Sequence, residues 1–242
     1  MITRIIKERI ISVLKNTPIW RFRLKMNEIH MQKRMQKRKK FFHLEAEELL
    51  EKFSQTLNSA NVLFWLDFGT LLGYYREHDF IKHDFDLDCG VFLKDAGNVR
   101  KSLTENGFKL IREFKSLKDG GMEECYLYKH TSIDIFYYRT DSVRNTIYCN
   151  SFSTFPELFK GINKKAPAEV KRIDLPKSEF QKVTYKNSTV NVPDNPVLYL
   201  QRHYGADFMT PNPDFDYKKE ATNITYYRYE DMPGEYIIHK II

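Results

Sequence analysis

Cysteine is scarce in this chain, and the scarcity is informative. Cys89, Cys125 and Cys149 show no C-x-x-C spacing and leave one over from any pairing, which sets aside both a disulfide framework and a structural zinc site and points to reduced thiols in a cytoplasmic setting. Cys89 reads as a core residue. No apolar run reaches the roughly 18 to 20 residues that a helix needs to cross a bilayer. No signal-peptide pattern is present, so the sequons at Asn187 and Asn223 carry no weight. Internal repeats and low-complexity linkers are missing too. At 242 residues the chain is long enough for one good core with a smaller appendage and too short for two full domains.

Charge, by contrast, is plentiful and uneven. Residues 1–40 hold thirteen Lys or Arg against Glu8 and Glu28, a net +11, which leaves −4 for the remainder of a chain whose total is +7. The expected organisation is a basic helical arm over residues 1–43 and an acidic body over residues 44–242. Within the arm Ile2, Ile5, Ile6, Ile10, Val13 and Leu14 recur at helical spacing, with Trp20 and Phe22 after a Pro18 break. A basic amphipathic helix of this kind suits an anionic membrane surface, lying in the plane of the headgroups. The competing reading packs the isoleucines onto the body and leaves a solvated basic face. Nucleic acid ranks last, because the chain carries no recognisable nucleic-acid module and its body is acidic.

The most informative stretch runs from Phe64 to Val91, FWLDFGTLLGYYREHDFIKHDFDLDCGV. Val62 to Phe68 reads as a buried strand, and a turn at Gly69 into Thr70-Leu71-Leu72 opens a helix whose first N–H groups lack intrahelical partners and suit a phosphate. From Phe85 to Phe92 apolar and acidic residues alternate, so Asp86 and Asp88 project side by side from one strand. Two hard carboxylates at that spacing suit Mg²⁺ or Mn²⁺. Taken alone, such a pair is most often a solvated strand face, and Gly-Thr after a strand is most often only a turn. A third acid raises the weight. Asp134 is the single acid of a strand-like run from His130 to Tyr137, flanked by Ile133 and Ile135, and a carboxylate set among apolar neighbours needs a cation or donors to face.

These residues resemble the LicD and fukutin-related family of the nucleotidyltransferase-fold superfamily. Trp65, Leu66, Asp67, Gly69, Thr70, Leu71, Leu72 and Gly73 match its first block, followed by Arg76, Ile81, Asp84, Asp86 and Asp88, and Asp134-Ile135-Phe136 matches a later strand. A C-terminal block, Val192-Pro193, Asn195, Tyr199-Leu200, Tyr204-Gly205 and Pro211, falls in the family's order. The resemblance spans roughly residues 45 to 217. It implies an α/β fold of the nucleotidyltransferase type, with a small mixed sheet flanked by helices. It also implies transfer of a phosphorylated alcohol from a CDP-linked donor to a hydroxyl of a cell-surface glycan or its lipid-linked precursor. Asp86, Asp88 and Asp134 would then be metal ligands for Mg²⁺ or Mn²⁺, Gly69 and Thr70 the phosphate turn, and Arg76 a donor-phosphate contact. Asp134 is the residue to which a proton-accepting role falls.

The chain departs from the family pattern at Lys82-His83, where Pro-Trp is usual. That change adds potential positive charge beside the phosphate site and leaves the donor's identity open. If the acceptor is lipid-linked, the basic arm would place the protein on the inner face of a bacterial membrane. Two other readings remain: transfer of a nucleoside monophosphate from an NTP with pyrophosphate leaving, and a non-catalytic membrane- or glycan-binding module.

The remaining expectations are coarse. Leu44 to Leu57 reads as an amphipathic helix, Asp95 to Asn106 as another, and Phe108 to Phe114, Cys125 to Tyr128 and Ile133 to Tyr138 as strands. Ser151 to Lys171 reads as loop-rich around Pro156 and Pro167. Val183 to Tyr185 and Thr189 to Val192 read as a hairpin, and Pro196 to His203 as a short helix. Tyr74 and Tyr75 are the aromatics expected nearest the pocket, and Pro211-Asn212-Pro213 a loop able to close over it.

Overall fold

A computed structural model describes residues 18–154, 165–212 and 221–239; the apolar repeat of residues 2–14 and Pro213 of the closing loop lie outside them. The first described element, α1 (Pro18–Ser59), is a single helix of 42 residues. Its C-terminal half carries Phe42, Ala46, Leu49, Leu50, Phe53 and Leu57 on one stripe, and all six are buried. Each large apolar side chain so placed contributes about 1.5–3 kcal/mol of transfer free energy, which anchors this half of the helix to the sheet. The expected arm-to-body boundary at residues 43/44 therefore falls within one continuous helix. Asn61, with φ 52°, ends it. The N–H of Asn61 bonds the Asn58 carbonyl and that of Val62 the Leu57 carbonyl, so the last carbonyls are satisfied by a left-handed cap that asparagine tolerates.

The chain continues through β1 (Phe64–Leu66), α2 (Phe68–Arg76), β2 (Asp86–Phe92), a short 3₁₀ turn, α3 (Ala96–Glu105), β3 (Lys109–Ser116), β4 (Met122–Tyr128) and β5 (Thr131–Asp141). Then come β6 (Thr146–Thr154), β7 (Lys165–Pro176), β8 (Phe180–Tyr185), β9 (Ser188–Pro193), α4 (Pro196–Tyr204), β10 (Ile224–Tyr226) and β11 (Pro233–Ile238). The main sheet has nine strands in the order β1-β2-β5-β4-β3-β11-β7-β10, with β6 bridging β5 and β7, while β8 and β9 form a separate hairpin. It is mixed: β2 and β5 run parallel. A parallel pair needs a long crossover, which α3 and the β3–β4 hairpin supply.

The sheet is larger than the small one expected, and the reason lies in β6, β7 and β11. Residues 151–154 and 165–171, expected to be loop, lie in strands that pair with each other over nine positions. Pro167 argued against a strand, and the charged side chains of Glu169, Lys171 and Arg172 hid the alternation; yet Ala168, Val170 and Ile173 are buried. The pairings β5-β4-β3-β11-β7-β6-β5 close a circuit of six strands. Phe114, Phe152, Ala168 and Val170 form a second apolar cluster on these strands, covered by Tyr227, Met232 and Tyr236. The first strand is shorter than expected: the Asp67 N–H still bonds the Asp88 carbonyl, but its side chain caps α2, which begins at Phe68.

Gly90 on β2 is required by a neighbour. A Cβ there would lie 2.2 Å from the Trp65 indole, so the glycine lets the buried tryptophan lie across the strand that carries the acids.

Candidate active site

Along β2, Leu87, Cys89 and Val91 are fully buried in the core, which turns Asp86 and Asp88 to the opposite face. The parallel register sets Asp88 beside Asp134 and Asp86 beside Ser132. Asp84, just ahead of the strand, joins them. A Cβ on Gly69 would stand 2.9 Å from Asp84 Oδ2 and 3.5 Å from Asp88 Oδ2, so the start of α2 meets the carboxylates with only a hydrogen between them. The three acids expected to cluster are thus brought together, with Asp84 as a fourth.

Gathering like charges out of water raises their pKa values. Burial lifts the Asp84 carboxyl to about 6, with Glu77 adding to the rise while His83, Arg76 and Lys39 oppose it. Burial, followed by Asp134, raises Asp86 against the pull of Arg38 and Arg112. Asp88 is raised well above the ordinary range by burial and then by Asp86, Asp134 and Asp84. Oδ1 of Asp134 is buried with no hydrogen-bond partner. When ionised, the cluster therefore holds more negative charge than Arg38 and Arg112 neutralise.

The turn that faces it begins at Asp67. This fully buried residue caps α2 by accepting from the Phe68 N–H at 2.9 Å. It also accepts from the Tyr138 hydroxyl at 2.6 Å and the Tyr199 hydroxyl at 3.3 Å, with His203 Nε2 3.4 Å away. Trp65 Nε1 donates to the same Tyr199 oxygen. The first and last sequence blocks of the family resemblance thus meet at one carboxylate. Phe68 follows with φ 40°, a strained conformation for a bulky residue, held by its ring against Phe136 and His203. Gly69 and Thr70 come next, in the first turn, where backbone N–H groups have no intrahelical acceptor. The Thr70 hydroxyl accepts from the Asp88 N–H at 2.8 Å, tying the turn to the acidic strand.

Arg76, expected as a phosphate contact, sits in the last turn of α2 and its charge bears on the Asp84 carboxyl. Its guanidinium donates to the Phe208 carbonyl and to Glu77, and its Nε is buried without a partner. Lys82 and His83 are exposed on the loop before β2, and the Lys82 carbonyl is held by His43 Nε2 at 2.8 Å. Tyr74 packs edge-on against Tyr185, and Tyr75 lies tilted against Phe208.

Three further residues at the site escape a reading of the sequence. Arg38, on α1, donates to Asp86 Oδ2 at 3.0 Å and to Ser132 Oγ at 3.2 Å. Arg112, on β3, donates to Asp134 Oδ2 at 2.6 Å. Glu123, on β4, is fully buried with Oε2 lacking a partner, and burial followed by the Asp134 charge raises it to about 8. No clear signal marked Arg112, in a strand that also carries Lys109, Glu113 and Lys115, or Glu123, which sits beside Glu124. Arg38 had none either, being one of six cations between residues 33 and 40.

Comparison with known proteins places the sequence in a family. The model of the LicD/FKTN/FKRP nucleotidyltransferase domain matches residues 61–195, more than half of the chain. The chain belongs to the LicD/FKTN/FKRP family. A ribitol-5-phosphate transferase FKTN from Homo sapiens is 26% identical over 184 residues, 76% of this chain and 37% of that protein. A ribitol 5-phosphate transferase FKRP from Homo sapiens is 48% identical over 45 residues, 19% of this chain and 9% of that protein. The chain thus spans little more than a third of the FKTN length. Among solved structures, the lincomycin-bound lincosamide antibiotic adenylyltransferase LnuA matches at a TM-score of 0.37 and 13% identity, over 71% of this chain and 94% of that one. The matched span contains the glycine turn and all four acids of this LicD-type chain, while most of the C-terminal block lies beyond it. No helix among the described residues is long and apolar enough to cross a membrane.

Proposed function

We propose that the protein transfers a phosphorylated alcohol, of which ribitol phosphate, phosphocholine and glycerol phosphate are the candidates, from a CDP-linked donor to a hydroxyl of a cell-surface glycan or its precursor. The observation that carries this reading is the under-neutralised cluster of Asp84, Asp86, Asp88 and Asp134 packed against Gly69 in a chain of this family. Both named FKTN and FKRP relatives are ribitol-phosphate transferases, which makes CDP-ribitol the first donor to test.

The donor set fits a hard divalent cation, Mg²⁺ or Mn²⁺. The ligands offered are carboxylate oxygens, one of them buried with no partner, and their mutual repulsion is what a bound cation would relieve. Among the described residues no three acidic, His or Cys groups already converge as a finished cage. Asp86, Asp88 and Asp134 would hold the ion, which when bound would supply charge neutralisation for phosphoryl transfer. The chain's own residues do the positioning. Thr70 fixes Asp88 through its backbone, Asp67 fixes the start of α2, and Gly69 allows the donor's phosphate to approach the first-turn N–H groups. In the reaction the acceptor oxygen forms a bond to phosphorus, the bond to CMP breaks, and the hydroxyl proton passes to a carboxylate of the cluster. The basic charge of residues 1–40 would draw the protein to an anionic lipid surface.

The test is calorimetry of the purified chain with CDP, CMP, ADP and GDP, with and without Mn²⁺, followed by product analysis with CDP-ribitol. Metal-dependent cytidine selectivity and CMP release are expected. Purine preference with pyrophosphate release from an NTP would replace this reading with nucleotidyl transfer. Absence of nucleotide binding would replace it with a non-catalytic module.

A further inference from the structure

The acidic cluster already has two cations against it, and neither is among the residues that the family resemblance brings forward. Arg38 reaches it from α1. Its Nη2 spans two strands, bonding Asp86 on β2 and Ser132 on β5, while its guanidinium lies 4.2 Å from the centroid of the Phe85 ring. Arg112 reaches it from β3 on the other side, pairing with Asp134. Both side chains keep partial access to solvent, 28% for Arg38 and 30% for Arg112. The part of α1 that carries Arg38 is held in place. Glu45 accepts from the His130 N–H, Phe41 stacks on the His130 ring, and His43 holds the Lys82 carbonyl. Arg38 is therefore presented to the site by a rigid element.

Two guanidinia on four carboxylates leave a nominal charge of −2. Each guanidinium is a planar fork that matches a phosphate as well as it matches a carboxylate. Arg76, by contrast, already spends its guanidinium on Phe208 and Glu77. We propose that Arg38 and Arg112 are exchangeable counter-cations: they neutralise Asp86 and Asp134 in the metal-free protein and turn to the diphosphate of the donor when a divalent cation engages those carboxylates. The exchange keeps Asp86 and Asp134 paired with a cation in both states. It makes α1 part of the active site, and it rests on the reading above in taking Asp86 and Asp134 to hold the cation and the ligand to be a diphosphate.

Removal of Arg38 then has effects of opposite sign on two ligands. In the full-length Arg38→Gln variant, Mn²⁺ alone binds about tenfold more tightly than in the unmodified protein, because no internal cation has to be displaced. In the presence of saturating Mn²⁺ the same variant binds CDP, and inorganic pyrophosphate, about tenfold or more weakly. Arg38→Lys, which keeps the charge without the fork, retains the original Mn²⁺ affinity and weakens both diphosphates. A purely structural Arg38 moves Mn²⁺ and diphosphate affinity in the same direction or moves neither, and either result overturns the proposal. Pyrophosphate separates the two claims. Binding of pyrophosphate without preference for CDP defeats the cytidine-donor reading and leaves the counter-cation intact; binding of neither ligand by the unmodified protein defeats the counter-cation itself. Arg112→Gln repeats the measurement from the sheet side, and Arg38, on a half-exposed helix face, decides the question if that variant does not fold.

Discussion

Glu123 and Glu124 are neighbours on β4, both buried, and they live in opposite electrostatic worlds. Glu124 faces a finished network. Arg100 donates to its Oε1, while the hydroxyls of Tyr126 and Tyr137 donate to its Oε2 at 2.7 and 2.6 Å, and Glu113 shares the same arginine. Glu123 faces the other side of the sheet, toward Asp134, with an oxygen that has no partner and a pKa pushed up to about 8. The difference separates two uses of buried charge. A carboxylate that holds a fold together is fully partnered from within the chain. A cluster kept under-neutralised costs stability, and on the proposed reading what it gains is affinity for a cation.

That contrast can be broken most severely at Asp88. Asp88→Asn is expected to lower the transfer rate by about three orders of magnitude or more, the scale seen when charge stabilisation of a phosphoryl transition state is removed. Its melting temperature should be unchanged or higher, since the substitution relieves repulsion from Asp86, Asp134 and Asp84; turnover assays paired with thermal unfolding check both halves. On the satisfied side, Glu124→Gln should destabilise the fold by about 2–4 kcal/mol by breaking the Arg100 pair and the two tyrosine bonds. Denaturant unfolding measures that loss, and affinity for Mn²⁺ should not follow it.

The smallest expected effect sharpens the comparison, because the same substitution one residue earlier acts in the opposite direction. The folded value of Glu123 lies above its ordinary one, 4.5 rising to about 8. The native state therefore binds more protons than the unfolded chain between those values, and stability falls as pH rises through that window. Glu123→Gln should remove this slope and stabilise the fold at pH 8, by about 2–4 °C in Tm for each kcal/mol recovered. Unfolding curves at pH 5 and pH 8 would show it. A larger loss at pH 8 in the variant would place Glu123 among the satisfied acids.

Much of the site was legible in the residues because it is local. The alternation around Asp86 and Asp88, the glycine turn and the lone acid at Asp134 are each set by a few consecutive positions, and the pairing of β2 with β5, whose direction the residues did not disclose, sets Asp134 beside Asp88. The helix from Leu44 to Leu57 and the hairpin of β8 and β9 were legible for the same reason. What could not be read depends on distant pairing. β6 and β7 stabilise each other across polar, proline-containing sequence. The Asp67 network joins residues more than 130 positions apart. Arg38 sits in a run of cations where only the packing of α1 singles out the one that reaches Asp86.

The most direct test of the central claim is thermal unfolding of the full chain at neutral pH across a Mn²⁺ titration, with Asp88→Asn measured beside it. A ligand that binds only the native state raises Tm in proportion to the logarithm of its concentration. The account predicts such a rise in the unmodified protein and its loss in Asp88→Asn. Equal shifts in both, or no shift in either, would contradict the claim that these carboxylates await a cation.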